Sequence, residues 1–134
     1  RGLTNYLSWC LEVYPVQAGR GSPVHTSLSF DLTVTSIYPA LLCGQKVWLL
    51  PERLGREALE WIMQAEIDLR LVKITPAHLD LLRHELGDAG LRATVDAFVI
   101  GGEALLDATL TWWRAHAPAA APSPRHVPAN RERR

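Results

Sequence analysis

The sequence predicts an α/β fold, a parallel sheet with flanking helices. Helix-patterned and strand-patterned segments alternate along the 134 residues, the order that places parallel strands beneath crossover helices. The two clearest strand segments are Leu69-Arg70-Leu71-Val72-Lys73-Ile74 and Val95-Asp96-Ala97-Phe98-Val99-Ile100. Both are rich in strand-forming apolar residues, with Lys73 interrupting the first and 95–100 the stronger of the two. Glycine or proline punctuates most junctions. With 48% hydrophobic residues, the chain can supply a core for one domain or for a piece of a larger one.

The first helix is expected from a Thr4 cap through Tyr6, Leu7, Trp9, Cys10 and Leu11 to the neighbourhood of Tyr14. Residues 15–23 contain Pro15, Gly19, Gly21 and Pro23 and read as a loop, and 25–30 read as a short strand. Residues 34–43 pattern as an apolar helix that stops at Gly44, where glycine is favoured just past a helix end. Pro39 works against that helix by removing a backbone donor. A brief apolar run over 45–50, ended by Pro51, reads as a strand.

A helix is then expected over 53–65, with Leu54, Ala58, Trp61, Ile62 and Ala65 on one face. The strand over 69–74 leads to Thr75-Pro76, an N-cap followed by proline at the first helical position. That helix carries Leu79, Leu82 and Leu86 and ends at Gly87. The strand over 95–100 turns at Gly101-Gly102 into a helix over 104–116, where Trp112-Trp113 predicts one buried and one partly exposed ring. From Ala117 the composition shifts to alanine and proline, then arginine. Residues 119–134 are expected to be a disordered tail, with Arg125, Arg131, Arg133 and Arg134 solvated.

Lys plus Arg and Asp plus Glu are 14 each, so charge makes no case for nucleic acid or an anionic membrane. No apolar run reaches the length of about 18 residues that a membrane span needs. Cys10 and Cys43 lack metal-ligand spacing and read as buried free thiols in a reducing cytoplasm. The first residues show no secretory signal and no initiating methionine, which suits an excised segment.

In parallel sheets ligands gather at the carboxyl ends of strands, and Phe30-Asp31, Lys73 and residues 99–102 all fall there by pattern alone. Asp31 either pairs with a substrate ammonium or caps the helix that follows. Lys73 either snorkels from a strand end or projects into a pocket as the partner of a carboxylate or amide oxygen. Gly101-Gly102-Glu103 permits close backbone approach at a strand-to-helix junction, though without Rossmann or Walker spacing. His25 either packs or touches substrate. His78 and His84, about 600° apart around one helix, share no face and read as solvated. No nucleophile–base pair and no zinc spacing is visible.

Several phrases in order carry a resemblance: Gly2-Leu3-Thr4-Asn5-Tyr6-Leu7, Ser27-Leu28-Ser29-Phe30-Asp31-Leu32-Thr33, Leu41-Leu42-Cys43-Gly44 and Val99-Ile100-Gly101-Gly102-Glu103-Ala104-Leu105. Over residues 1–118 the chain resembles the substrate-selecting middle of a nonribosomal peptide synthetase adenylation domain. The fold implied is a partial N-terminal subdomain of the adenylate-forming enzymes. That family joins an amino acid to ATP with Mg2+, releasing pyrophosphate, and passes the acyl group to the phosphopantetheine thiol of a carrier domain in an assembly that also holds condensation domains.

Matched position by position, the resemblance implies that Asp31 holds the substrate's amino group, while Leu32, Thr35, Lys73, Val99 and Gly101 form the pocket wall. It implies that Gly102 and Glu103 lie toward the nucleotide. The string Asp-Leu-Thr-Lys-Val-Gly is similar to the start of an aspartate signature, with asparagine its near neighbour. One anion for the ammonium and one cation for the side chain also suit an acidic amino acid. Acyl- and aryl-CoA ligases share the implied fold and glycine turn but activate acids that need no Asp31. A non-catalytic interaction module is the other reading.

The family's phosphate-gripping loop, its Asn-Glu-Tyr-Gly-Pro-Thr-Glu-like motif, its ribose-holding aspartate and its C-terminal lysine are not found in these 134 residues. The expectation is therefore an internal fragment, inactive alone, with exposed sheet edges and apolar helix faces.

Overall fold

A computed structural model describes residues 1–17, 20–51, 53, 55–64, 67–87 and 94–116. Its elements alternate in the expected order: α1 (Gly2–Val13), β1 (Ser22–Val24), α2 (Leu32–Leu42), β2 (Val47–Leu49), α3 (Gly55–Gln64), β3 (Asp68–Ile74), α4 (Pro76–Leu86), β4 (Thr94–Ile100) and α5 (Asp107–His116). The strands form two parallel pairs, β1 with β2 and β3 with β4. In the longer pair Leu71 lies opposite Ala97, Lys73 opposite Val99 and Ile74 opposite Ile100.

Strands β1 and β3 run side by side without a backbone ladder, and the reason lies in Pro23. Ser22 N–H donates to Lys46 O and Val24 O accepts from Leu50 N–H, so both point toward β2. By the alternation of a strand, Pro23 is the residue turned toward β3, and it has no N–H to give. Side chains make the join instead. Ser22 Oγ donates to Leu71 O at 2.8 Å, and His25 Nε2 bonds Lys73 O at 3.0 Å.

The core has two faces. By alternation Val72, Ile74, Phe98 and Ile100 share one of them, where they pack with Leu79, Leu82 and Leu86 of α4 and with Trp113 of α5, joined by Leu69 and Val95 from the strand starts. Leu71, Ala97 and Val99 pack on the other face against Cys10, Tyr14 and Val16. Burial on both faces explains the density of apolar residues in β3 and β4. Trp113 is buried and donates its indole N–H to Leu79 O, while Trp112 is half-buried, as the pair predicts.

Several helix ends follow their residues. Thr75 Oγ1 accepts from His78 N–H with Pro76 next to it, and Gly44, at φ 68°, follows α2. Others differ from expectation. Helix α1 starts at Gly2 behind Arg1, with no side-chain cap, so Thr4 lies within the first turn. Residues 25–30 are loop rather than strand, and β1 lies earlier, over Ser22–Val24, where the sequence reads as loop. Proline and glycine content suggested a loop there, but one edge of a three-residue strand tolerates Pro23. Helix α2 runs through a buried Pro39 to Leu42. Helix α5 begins at Asp107, three residues later than Ala104.

Leu54 and Ala65 and the side chains of Trp61 and Ile62 lie outside the described residues, as does the tail over 119–134. No described helix is long and apolar enough to cross a membrane.

Candidate functional site

The carboxyl ends of β3 and β4 meet the N-terminus of α2 and the side of α1. Alternation puts Lys73, Val99 and Gly101 on the face that Leu71 and Ala97 present to α1. Lys73 is half-buried. Burial pushes its pKa below the usual lysine value, while the Asp31 carboxylate and Cys10 pull it back up. Its ammonium lies over Gly101: a Cβ built on Gly101 would sit 2.9 Å from Lys73 Nζ. Glycine therefore leaves the space the ammonium occupies. Val99, buried, faces Lys73 across the strand pair.

Asp31 stands exposed at the N-cap position of α2 and makes no side-chain capping bond. The turn closes in other ways, with Thr33 Oγ1 donating to Phe30 O at 2.6 Å and Val34 N–H donating to Asp31 O. The capping role open to Asp31 on sequence is thus not made. Leu32 is half-buried on the first turn, and Thr35, one turn beyond Asp31, is buried.

Thr35 Oγ1 lies 2.6 Å from Tyr6 OH of α1. Burial raises the Tyr6 pKa, and the bond to Thr35 opposes that rise. Cys10, one turn along α1, is fully buried and its thiol pKa is raised, chiefly by that burial. Asp31, Leu32, Thr35, Lys73, Val99 and Gly101 thus gather from three segments at one end of the sheet. Tyr6 and Cys10 join them without having been assigned there from sequence, and His25, for which the sequence leaves packing or substrate contact open, is buried beside Lys73. Tyr6 and Cys10 stand four residues apart on one helix face, a visible signal, but their targets, Thr35 on α2 and the β3–β4 face, are tertiary facts.

The glycine turn follows. Gly101 N–H donates to Ile74 O, and Gly102 has φ 96°, a backbone state glycine adopts without cost. A Cβ on Gly102 would meet only Thr75 Cγ2, at 3.9 Å. Glu103 Oε2 accepts from Ala77 N–H at 3.3 Å, at the positive end of α4. His25 is buried and its ring meets that of His78 edge-on at 5.3 Å, while His84 sits apart on α4 beside Asp80. Among the described residues, no group of three or more His, Cys, Asp or Glu side chains could hold a metal ion.

Comparison with known proteins gives a consistent picture. The chain is 36% identical over 107 residues to tyrocidine synthase 3 of Brevibacillus parabrevis, covering 78% of this chain and 2% of that protein. It is 32% identical over 105 residues to bacitracin synthase 3 of Bacillus licheniformis, covering 78% of this chain and 2% of that protein. It is also 37% identical over 67 residues to an L-proline–[L-prolyl-carrier protein] ligase of Pseudomonas fluorescens, covering 48% of this chain and 14% of that protein. The chain spans only a few per cent of the length of the synthases it matches. No family model matches it. The parallel α/β arrangement and this similarity together show that the chain belongs to the nonribosomal peptide synthetase adenylation-domain family.

Proposed function

We propose that this chain is the amino-acid-selecting part of an adenylation domain in a cytoplasmic synthetase, and that its pocket selects aspartate, with asparagine the next best fit. The observation that carries the reading is the nearness of two opposite charges, Lys73 at the end of β3 and Asp31 at the N-cap of α2, whose carboxylate raises the Lys73 pKa. Asp31 is free of helix capping, and Lys73 lies over Gly101 in surroundings that disfavour an unpaired cation. In this reading Asp31 accepts hydrogen bonds from the substrate ammonium. Lys73 meets the substrate's side-chain carboxylate, which supplies the counter-charge its burial lacks. Leu32, Thr35, Val99 and Gly101 close the wall. An acid without an amino group, of the CoA-ligase type, would leave Asp31 without a partner.

ATP and Mg2+ belong to the complete domain. Among the described residues, the open backbone at Gly102 fits close approach of a nucleotide, and Glu103 lies beside it. ATP supplies the activating group, so that the amino acid carboxylate becomes an acyl-adenylate and pyrophosphate leaves. The acyl group then passes to the phosphopantetheine thiol of a carrier domain, with condensation domains as further partners. The 134-residue chain alone is expected not to adenylate.

Amino-acid-dependent pyrophosphate exchange by an intact adenylation domain containing residues 1–116 tests the reading. Aspartate is expected to give more exchange than asparagine, and Lys73→Ala to erode that preference. Equal exchange with leucine would overturn it.

A further inference from the structure

The ring of His25 is buried, and it sits outside the set of residues assigned to the pocket wall. Its Nε2 lies 3.0 Å from the backbone carbonyl of Lys73. A carbonyl can only accept, so Nε2 carries the proton and donates. The placement follows from the gap between β1 and β3. Ile74 O takes Gly101 N–H on the β4 side, which leaves the carbonyls of Leu71 and Lys73, out of step with it, facing β1. Pro23 offers no N–H to that edge. Ser22 Oγ takes the first carbonyl and His25 Nε2 the second.

The last residues of β3 are therefore held against β1 by a side chain, at the residue whose ammonium enters the pocket. The other side of the ring is fixed as well. His78 meets it edge-on, its ring centroid 5.3 Å away, and His78 Nδ1 is bonded to Thr75 Oγ1 at 2.8 Å. Thr75 follows Lys73 by two residues, so His25 is clamped between two points on the same stretch of chain.

We propose that His25 is a positioning residue for substrate selection: by donating from Nε2 to Lys73 O it fixes the position at which the Lys73 ammonium meets the substrate's side chain. The inference rests on the reading of Lys73 as the partner of an acidic side chain. It goes beyond that reading by assigning the discrimination in part to a residue that does not touch the substrate. Removing the bond lets the Lys73 backbone relax toward β1 or away from it. The ammonium then meets a carboxylate less well, whereas an amide, which needs no ammonium placed so closely, loses less.

The test uses two variants of similar size and polarity in an intact adenylation domain that contains residues 1–116. The amide nitrogen of glutamine reaches the position of a histidine Nε2, and that of asparagine reaches the position of Nδ1. His25→Gln is expected to keep the ratio of aspartate to asparagine kcat/KM near that of the unaltered protein. His25→Asn is expected to lower the ratio about fivefold, through the KM for aspartate and with little change in kcat. Equal ratios in the two variants and the unaltered protein would overturn the proposal, as would equal losses for both amino acids, which mark a role in folding alone. If either variant fails to fold, the unaltered domain still decides, because nitrogen-detected NMR of its His25 ring must show a protonated Nε2; an Nδ1–H tautomer would overturn the proposal. Lys73→Ala serves as the control for the underlying reading. If it leaves the aspartate preference intact, that reading fails, whatever the His25 variants do.

Discussion

At the scale of single residues, the proposed selection rests on a lysine kept in a place that disfavours its charge. Burial depresses the Lys73 pKa, and Asp31 and Cys10 only partly restore it. The unfolded chain therefore binds this proton more tightly than the folded one. Stability from this group rises with pH from its depressed folded value up to its ordinary one, and is lower below both. Ligand binding runs the other way. A substrate carboxylate favours the charged amine, so the preference for aspartate over asparagine should decline as pH rises through the depressed pKa of Lys73. The decline should come at lower pH than an ordinary lysine would give, and pyrophosphate exchange with both amino acids across alkaline pH measures it. A flat ratio through that range would remove Lys73 from the pocket. Gly101 makes a sharper case. Because a Cβ there would lie 2.9 Å from Lys73 Nζ, Gly101→Ala must push the ammonium aside. The KM for aspartate should rise about tenfold, with the thermal midpoint little changed because a flexible lysine tip can yield.

At the scale of elements, the strands and helices with local signals were legible in the sequence. β3 and β4 announce themselves by their density of strand-forming apolar residues, broken only by single charged positions such as Lys73 and Asp96, and α4 by Thr75-Pro76 at its start and Gly87 at its end. β1 was not legible, because Pro23 reads as a loop residue. Only the parallel pairing with β2, set by long-range contact, makes Ser22–Val24 a strand. The site divides in the same way. Lys73 and the glycine turn could be found from strand ends, and Asp31 from the phrase that carries the resemblance, since residues 25–30 form no strand; Tyr6 reaches the site only through tertiary packing of α1 on α2. Gly21 tests the element-level account. It has φ 109°, and a Cβ on it would collide with the carbonyl of Lys46, to which Ser22 N–H also bonds. Gly21→Ala is expected to cost about 1–3 kcal/mol for the backbone conformation alone and to loosen the β1–β2 pair. Thermal unfolding and amide exchange at Ser22 and Leu50 would show it; unchanged protection would refute the pairing.

At the scale of the molecule, several large apolar side chains face solvent on α2 and β2: Leu41 at 55%, Leu42 at 60% and Leu49 at 67% exposure. Large apolar side chains exposed in this way favour association, so the 134-residue chain on its own is expected to self-associate on size-exclusion chromatography. It is also expected to show no amino-acid-dependent exchange. A monodisperse, cooperatively melting monomer would instead favour an interaction module. The chain matches a small portion of much longer synthases, and in the proposed reading this portion selects the amino acid while other parts carry out the chemistry. The central claim is that Asp31 and Lys73 together select an acidic amino acid. Pyrophosphate exchange by an intact adenylation domain containing this segment, with and without Lys73→Ala, tests it most directly. The account predicts aspartate first, asparagine second, and a collapse of that preference in the variant; exchange with leucine equal to aspartate, or a preference untouched by the substitution, would contradict it.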